Sequence, residues 1–486
     1  MWQLNFLFIS KMLGLMLIIE TFFLGISTGV AALFRGDDII ALGLSSVITL
    51  VFGFIFYGIG AKANDRDSGK REGLITVSLT WIVFSLFGML PYLISGYIPS
   101  ITDAYFETMS GFTTTGATIL TEIEPLPKGL LFWRSLTQWL GGMGMIVFTL
   151  ALMPIFGGGA AQLFDAETTG ISQDRFLPRV TQVAKRLWGI YFFITVVLVG
   201  MLWAGPMNLY DSVCHAFTTM STGGYSTKNA SIAHWDSPYI EYVITFFMFV
   251  GGTNFTLLYF LFSGYFKKLF GDEELRWYFY FVIGATAIVT GGLLLTSQYP
   301  SVEVAFRKSI FQVVSIITTT GFATADYIPW GPFFWLVMLF LMTVCGCAGS
   351  TCGGMKMVRF VVLAKNTANE FKKQTHPKAI IPVRLNHHAI SMDTVQKILA
   401  FVFVYIGLIF LSSILLSASG MGFPESVGGA VTCVSNTGPA LGELGPVGNF
   451  SQVPMISKWY MSFLMLVGRL EIFTVLTLLT PGFWKQ

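Results

Sequence analysis

The chain of 486 residues is 54% hydrophobic and only 11% charged, with a mean hydropathy of +0.68 and a formal net charge of +3. About a quarter of the residues in a soluble domain are charged, so the composition excludes one and points to a protein with several membrane spans of roughly 20 apolar residues each. The five cysteines (Cys214, Cys345, Cys347, Cys352 and Cys433) lie in apolar or re-entrant stretches, which argues against a secreted disulfide framework.

The apolar region from Leu13 is long and lacks a small-residue cleavage site, so it reads as a first span, 10–34, rather than a signal peptide. The polar turn Arg35-Gly36-Asp37-Asp38 leads into a second span, 39–61. One pattern then repeats four times: a span, a half-length apolar segment, a Thr-Gly loop and another span. The spans fall at 73–97 and 129–156, 184–205 and 239–265, 273–297 and 333–363, and 392–419 and 455–480. The expected fold is an all-α polytopic membrane protein, with four pseudo-symmetric span–pore-loop–span repeats around a central pore and two extra helices before them. Its segments would be 1–66 for the leading pair, then 67–183, 184–271, 272–391 and 392–486 for the repeats.

The loops read FTTTGAT, TMSTGGY, TTTGFAT and VSNTGPA, centred on Thr115-Gly116, Thr222-Gly223, Thr320-Gly321 and Thr437-Gly438. Glycine can take positive φ and turn successive carbonyls toward one line. A ring of carbonyls can replace the water shell of a small cation. One position earlier Thr114, Ser221 and Thr319 supply hydroxyls, and Asn436 breaks that row. Segments such as 103–114 and 425–436 are too short to cross, and non-helical backbone at that depth is tolerated only beside a water-filled cavity or within protein. Their C-terminal dipole ends would favour a cation. Asp103 and Glu425 stand thirteen residues before their glycines, whereas the second and third copies, so aligned, lack that acid.

Basic residues orient the chain. Lys62, Arg66, Lys70 and Arg71, then Arg175, Arg179, Lys185 and Arg186, then Lys365, Lys372, Lys373, Lys378 and Arg384 fall on one side of a ten-span topology together with both termini. That side is expected to be cytoplasmic.

A second echo lies inside the later span of each repeat: Gly141-Gly142-Met143-Gly144, Gly251-Gly252-Thr253-Asn254, the run Cys345, Gly346, Cys347, Ala348, Gly349, Ser350, Thr351, Cys352, Gly353 and Gly354, and Gly468-Arg469. Small residues let helices approach closely, which accounts for the first two as packing. The third holds too many glycines to continue a helix, each costing about 1 kcal/mol relative to Ala. It reads as a broken helix that could act as a gate, against a static kink. Arg469, mid-span, is a functional candidate because a charge in lipid is so costly. It would place positive charge under the loops, or else pair with an acid on another helix, and Glu471 is a poor partner because residues two apart diverge.

Taken together, the leading pair, the four loops around Gly116, Gly223, Gly321 and Gly438, the interrupted span and Arg469 resemble the bacterial TrkH/TrkG/KtrB superfamily of potassium transporters over essentially the whole chain. The extra pair and the length look like the TrkH branch. The resemblance implies a potassium pathway through Thr115, Gly116, Thr222, Gly223, Thr320, Gly321, Thr437 and Gly438, an intramembrane gating loop at 346–353, and Arg469 beside it. It implies transported K+ as the ligand, residence in the bacterial inner membrane, a homodimer, and a cytosolic ring of nucleotide-binding TrkA subunits. In related plant transporters serine at the first filter glycine goes with sodium permeation, so Gly116 favours potassium. The loops depart from TVGYG, with Ala117, Gly224, Phe322 and Pro439 after the matched glycines, so selectivity over sodium is expected to be moderate.

The chain has no Walker A motif, and Gly157-Gly158-Gly159 reads as a linker, so ATP or NAD sensitivity must come through the partner. The basic stretch from Lys365 to Arg384 is either its docking surface or a plain positive-inside loop. A weakly selective K/Na channel or an H+- or Na+-coupled symporter is the alternative. Inverted repeats with midplane acids do not fit parallel repeats. An enzyme is disfavoured, since His387-His388, His215, His234 and Asp37-Asp38 form no catalytic cluster. Soft-metal binding by Cys345, Cys347 and Cys352 is disfavoured against small-residue packing.

Overall fold

The computed structural model describes residues 4–63, 69–156 and 180–485. Arg66, Arg175, Arg179 and Gly157-Gly158-Gly159, named above, lie outside the described residues.

The two leading spans are helices Phe6–Phe34 and Ile39–Ile59, packed as a hairpin. Their crossing is close enough that a side chain on Gly14 would strike the backbone of Gly53 and Tyr57. The turn between them is more than a connection. The carboxylate of Asp38 accepts the N–H of Leu130 at 2.8 Å, tying the hairpin to the first repeat's later helix, and burial raises its pKa.

The expected order of elements then recurs four times. First spans are Lys70–Gly88 continuing as Leu90–Ser95, Val180–Trp203, Glu273–Leu295 and Met392–Ala418. Half-length helices are Ile101–Phe112, Leu209–Met220, Val302–Ile317 and Phe423–Ser435. Second spans begin at Lys128, Pro238, Pro332 and Met455. Six described helices are long and apolar enough to cross a membrane, seven if one bent pair counts as a span. Apolar side chains face outward along them, among them Phe22, Phe54, Phe246, Phe403 and Phe410, as lipid contact requires.

Three of the expected second spans are broken, not one. The span expected at 239–265 is Pro238–Gly251 and Phe255–Phe262, bent by 104°. The span expected at 333–363 ends at Val344 and resumes as Met357–Thr375. The last stops at Arg469 and restarts at Phe473, with Glu471 and Ile472 at positive φ (59° and 46°). Apolar runs hide such breaks because hydropathy does not register a change in backbone direction.

The basic stretch 365–384 is not a plain loop, since the helix runs to Thr375. Beyond it, Arg384–Leu385 and His388–Ala389 form a short two-stranded hairpin in the otherwise helical fold. Its tight turn, Asn386-His387, has positive φ at both residues (48° and 67°), as such turns need.

Candidate ion pathway

All four half-length helices begin with an acid in the first turn: Asp103, Asp211, Glu303 and Glu425. Glu303 stands eighteen residues before Gly321 rather than thirteen, so the third copy lacks the acid in register, as expected. Ser100, Asn208 and Ser301 cap the first three through side-chain oxygens.

Beyond these helices the loops share one backbone path. Thr114, Thr222, Thr319 and Asn436 take left-handed φ of 53°, 52°, 56° and 56°. The next N–H groups, of Thr115, Gly223, Thr320 and Thr437, donate to the carbonyls of Ser110, Thr218, Ser315 and Thr432. Then Gly116, Gly224, Gly321 and Gly438 return to positive φ, at 81°, 77°, 80° and 99°. The equivalent of Gly116 in the second loop is therefore Gly224, not Gly223. Matching the dipeptide Thr-Gly shifts this loop by one residue, because TMSTGGY offers two glycines and only the backbone selects between them. In the corrected register Asp211 lies thirteen residues before Gly224, as Asp103 does before Gly116. The hydroxyl positions also change: Thr114, Thr222, Thr319 and Asn436 form one row, and Thr115, Gly223, Thr320 and Thr437 the next. Ser221 caps its helix instead.

The loops close into a ring. A Cβ on Gly116 would strike the Gly223 carbonyl, one on Gly224 the Thr320 carbonyl, one on Gly321 the Thr437 carbonyl, and one on Gly438 the Thr115 carbonyl, at 2.7 Å for the last. All four glycines line a single cavity of about 120 Å³ with Arg134, Tyr225, Ser226 and Lys228. Among the described residues, Thr114 Oγ1, Asn436 Oδ1 and Thr437 Oγ1 are buried without a hydrogen-bonding partner. Buried oxygens are almost always partnered, so three at one ring suit a bound cation or water.

Each boundary of the ring is braced. Tyr225 Oη donates to the carbonyls of Glu107 (2.7 Å) and Ala117 (3.3 Å), and Gln138 Nε2 donates to that of Gly223 (2.7 Å). The Ala233 N–H donates to Ala323 O (3.2 Å), Tyr327 Oη to Ala440 O (2.6 Å), and the Phe450 N–H to Thr118 O (2.7 Å). Asn436 Nδ2 reaches Thr115 Oγ1 (3.0 Å) and Met465 O (2.9 Å). Ion pairs lie outside this layer: Glu107–Arg134 (2.7 Å) and Glu241–Arg307 (3.1 Å) are buried, and Glu241–Lys308 (2.7 Å) and Asp103–Lys458 (2.6 Å) are partly buried. Sequence reasoning missed Gln138, Tyr225, Glu107 and Arg134. Charged and amide residues inside apolar stretches were the available signal.

Arg134 also donates to Ser226 O (3.0 Å) and stacks over Tyr225 at 3.5 Å. Arg134→Ala strands the buried Glu107 carboxylate and should destabilise the protein by about 3–5 kcal/mol, measured as a fall in unfolding temperature in detergent. Wild-type stability would rule out this bracing role.

Under the ring lies the segment 345–356, with no helix. Thr351 Oγ1 donates to the carbonyls of Met220 and Gly251, both at 3.1 Å, and accepts from Thr222 Oγ1 at 3.2 Å. The Gly353 N–H donates to Thr319 Oγ1 (3.0 Å), and a side chain on Gly353 would strike the Ser435 carbonyl. The segment therefore touches three of the four loops or their helices from below. The bend at 252–254 receives it: Cys347 N–H donates to Gly252 O (2.9 Å), and Phe255 N–H to Gly349 O (3.0 Å). Gly251-Gly252-Thr253-Asn254 is thus a docking break as well as a small-residue contact. Cys345, Cys347 and Cys352 are free and buried, with Cys345 beside Gly354 and Cys352 beside Gly346.

Arg469 donates to Thr351 O (2.8 Å), Gly141 O (2.7 Å) and Gly142 O (3.2 Å), bridging the segment to the first repeat. Glu471 pairs instead with Arg359, whose guanidinium also lies over Phe401 at 3.8 Å. The glycine echoes mark where the second spans meet the ends of the half-length helices. Cβ atoms on Gly141 and Gly468 would strike the carbonyls of Phe112 and Val434.

The chain is similar to known proteins over nearly its whole length. Residues 46–484 match the TrkH family, described as cation transport proteins. The chain is 35% identical to the Trk system potassium uptake protein TrkH of Escherichia coli K12, over 99% of this chain and 100% of that one. It is 37% identical to the TrkH of Halomonas elongata, over 92% of each. The crystal structure of the potassium transporter TrkH from Vibrio parahaemolyticus superposes with a TM-score of 0.89 at 33% identity, covering 99% of this chain and 100% of that one. The chain is a multi-pass membrane protein of the TrkH family of cation transport proteins and not an enzyme.

Proposed function

We propose that this protein carries potassium inward across the bacterial inner membrane, through the ring at Gly116, Gly224, Gly321 and Gly438. The observation that carries this reading is the closed ring itself, with left-handed glycines, adjacent carbonyls and three unpartnered buried oxygens. Such groups can stand in for the water that a cation sheds. Relatives described as potassium uptake proteins support the choice of ion. The braces between repeats hold the oxygens at a fixed spacing, which discrimination between ions requires if the filter cannot collapse onto the smaller one.

The segment 345–354 with Arg469 is the gate, closed by its contacts to the loops above. One cation moving inward gains about 2.3 kcal/mol per 100 mV. At 1.4 kcal/mol per tenfold, this sustains a gradient of about 50-fold without chemical coupling. A homodimer docked on a cytosolic TrkA-type ring is the proposed assembly. The docking surface is the basic face that includes Lys372, Lys373 and Lys378, on the cytoplasmic side with both termini. ATP or NAD would act through that partner alone.

A weakly selective K/Na pathway is the second reading. It is favoured by the ring's asymmetry: Gly223 replaces threonine, Asn436 replaces another, and Pro439 follows Gly438. Rubidium uptake into liposomes containing the purified chain decides between them. Potassium should compete strongly and sodium poorly, and equal competition would establish the second reading. Gly116→Ser should raise competition by sodium, and unchanged competition would count against the filter.

A further inference from the structure

We infer that Glu274, a buried carboxylate, positions the gate by clasping both limbs of the segment 345–356 at its base. The inference rests on that segment being the gate. Glu274 is the second residue of the helix Glu273–Leu295 and is only 7% exposed. Its Oε1 accepts the N–H of Ala348 at 2.7 Å and that of Val358 at 3.0 Å. Ala348 belongs to the descending limb, and Val358 to the first turn of the helix Met357–Thr375 that leaves it. One oxygen therefore holds two points ten residues apart in sequence.

The limbs also meet directly, the Met357 N–H donating to Gly346 O at 2.9 Å. Arg469 and Thr351 restrain the tip of the segment near the ring, and Glu274 restrains its root, so the two restraints are independent. A carboxyl oxygen suits this place because its two lone pairs let it accept both N–H groups at once. The tip can leave the ring only if the limbs separate or swing, and either movement breaks the clasp.

The neighbouring acids tie the clasp to the chain's basic hairpin. Asp272 and Glu273 face Asn386 and Lys365: Asn386 Nδ2 donates to Asp272 Oδ2 (2.9 Å), the Asn386 N–H donates to Glu273 Oε2 (3.1 Å), and Lys365 pairs with Glu273. Consecutive acids thus serve the hairpin on one side and the gate on the other. A displacement of the hairpin moves the helix start that carries Glu274.

The test uses the purified full chain in liposomes, with rubidium uptake and sodium competition measured for Glu274→Ala, Glu274→Asp and Glu274→Gln. Glu274→Ala should raise basal uptake about tenfold, the factor that 1.4 kcal/mol represents. Sodium competition should not change, because the ring is untouched. Glu274→Asp withdraws the acceptor by one carbon and should leak similarly. It carries the test if the alanine variant fails to fold. Glu274→Gln keeps an acceptor oxygen at the same reach, with lone pairs for both N–H groups, and should hold closure to within about threefold of the parent.

A readout independent of transport is the rate at which a water-soluble maleimide labels Cys347, located by mass spectrometry, with buried Cys214 and Cys433 as controls for folding. Cys347 should label faster in the alanine and aspartate variants than in the glutamine variant. If folded alanine and aspartate variants label and conduct like the parent, or if the glutamine variant leaks as much as alanine, the clasp is overturned. Faster labelling of Cys347 without more uptake would retain the clasp and overturn the gate reading.

Discussion

Gly224→Ala is expected to lower potassium-competed rubidium uptake by at least about tenfold, and more than Gly223→Ala does. At Gly224 φ is +77°, and an L residue in the left-handed region costs roughly 1–2 kcal/mol. The new Cβ would also strike the Thr320 carbonyl. That oxygen is backbone of the adjacent loop, which the Thr320 N–H ties to Ser315 O, and it cannot move without distorting the ring. At Gly223 φ is not positive, and the obstruction comes from the Gln138 side chain, with Oε1 at 2.5 Å and Cγ at 2.9 Å from the added carbon. Gln138 can swing aside, losing its bonds to Gly223 O and the Tyr225 N–H. Uptake by both variants, with sodium as competitor, ranks the positions. A milder effect at Gly224 would refute the register drawn from the backbone.

Arg469→Ala should act in the opposite direction, raising uptake by the chain without its partner at least about tenfold with sodium competition unchanged. Three hydrogen bonds from a charged group to Thr351, Gly141 and Gly142 carbonyls are lost. Each such bond contributes about 1.5–3 kcal/mol. Only the bond to Thr351 restrains the segment itself, so one bond's worth is a conservative measure of the shift toward opening. Arg469→Lys should fall between, because an ammonium lacks the planar fork that reaches carbonyls on two elements. Removing 345–354 should open the pathway further. If neither the alanine variant nor the deletion conducts more than the parent, the segment is not the gate.

The sequence revealed much of this architecture because lipid leaves few options. Long apolar runs must be helices, and the leading hairpin and four first spans are found close to where hydropathy puts them. Recurrent Thr-Gly loops after half-length segments are similarly informative, since glycine there serves a backbone conformation that other residues resist. The breaks at 252–254 and 470–472 were not visible, because apolar side chains suit lipid and protein alike whatever the chain direction. Asn386-His387 gave no hairpin signal, lacking the glycine usual in such a turn.

Composition and local pattern alone therefore determined the membrane class and the order of spans and half-length helices, and singled out Arg469 as a candidate. Tertiary structure alone decided which second-loop glycine enters the ring, that Arg469 bonds carbonyls while Glu471 pairs with Arg359, and that Glu274 meets Ala348 and Val358. The physical reason is range. Hydropathy and glycine patterns act within a few residues, whereas these contacts join groups 74 to 328 positions apart, and only the packing of the repeats around a common ring brings them together.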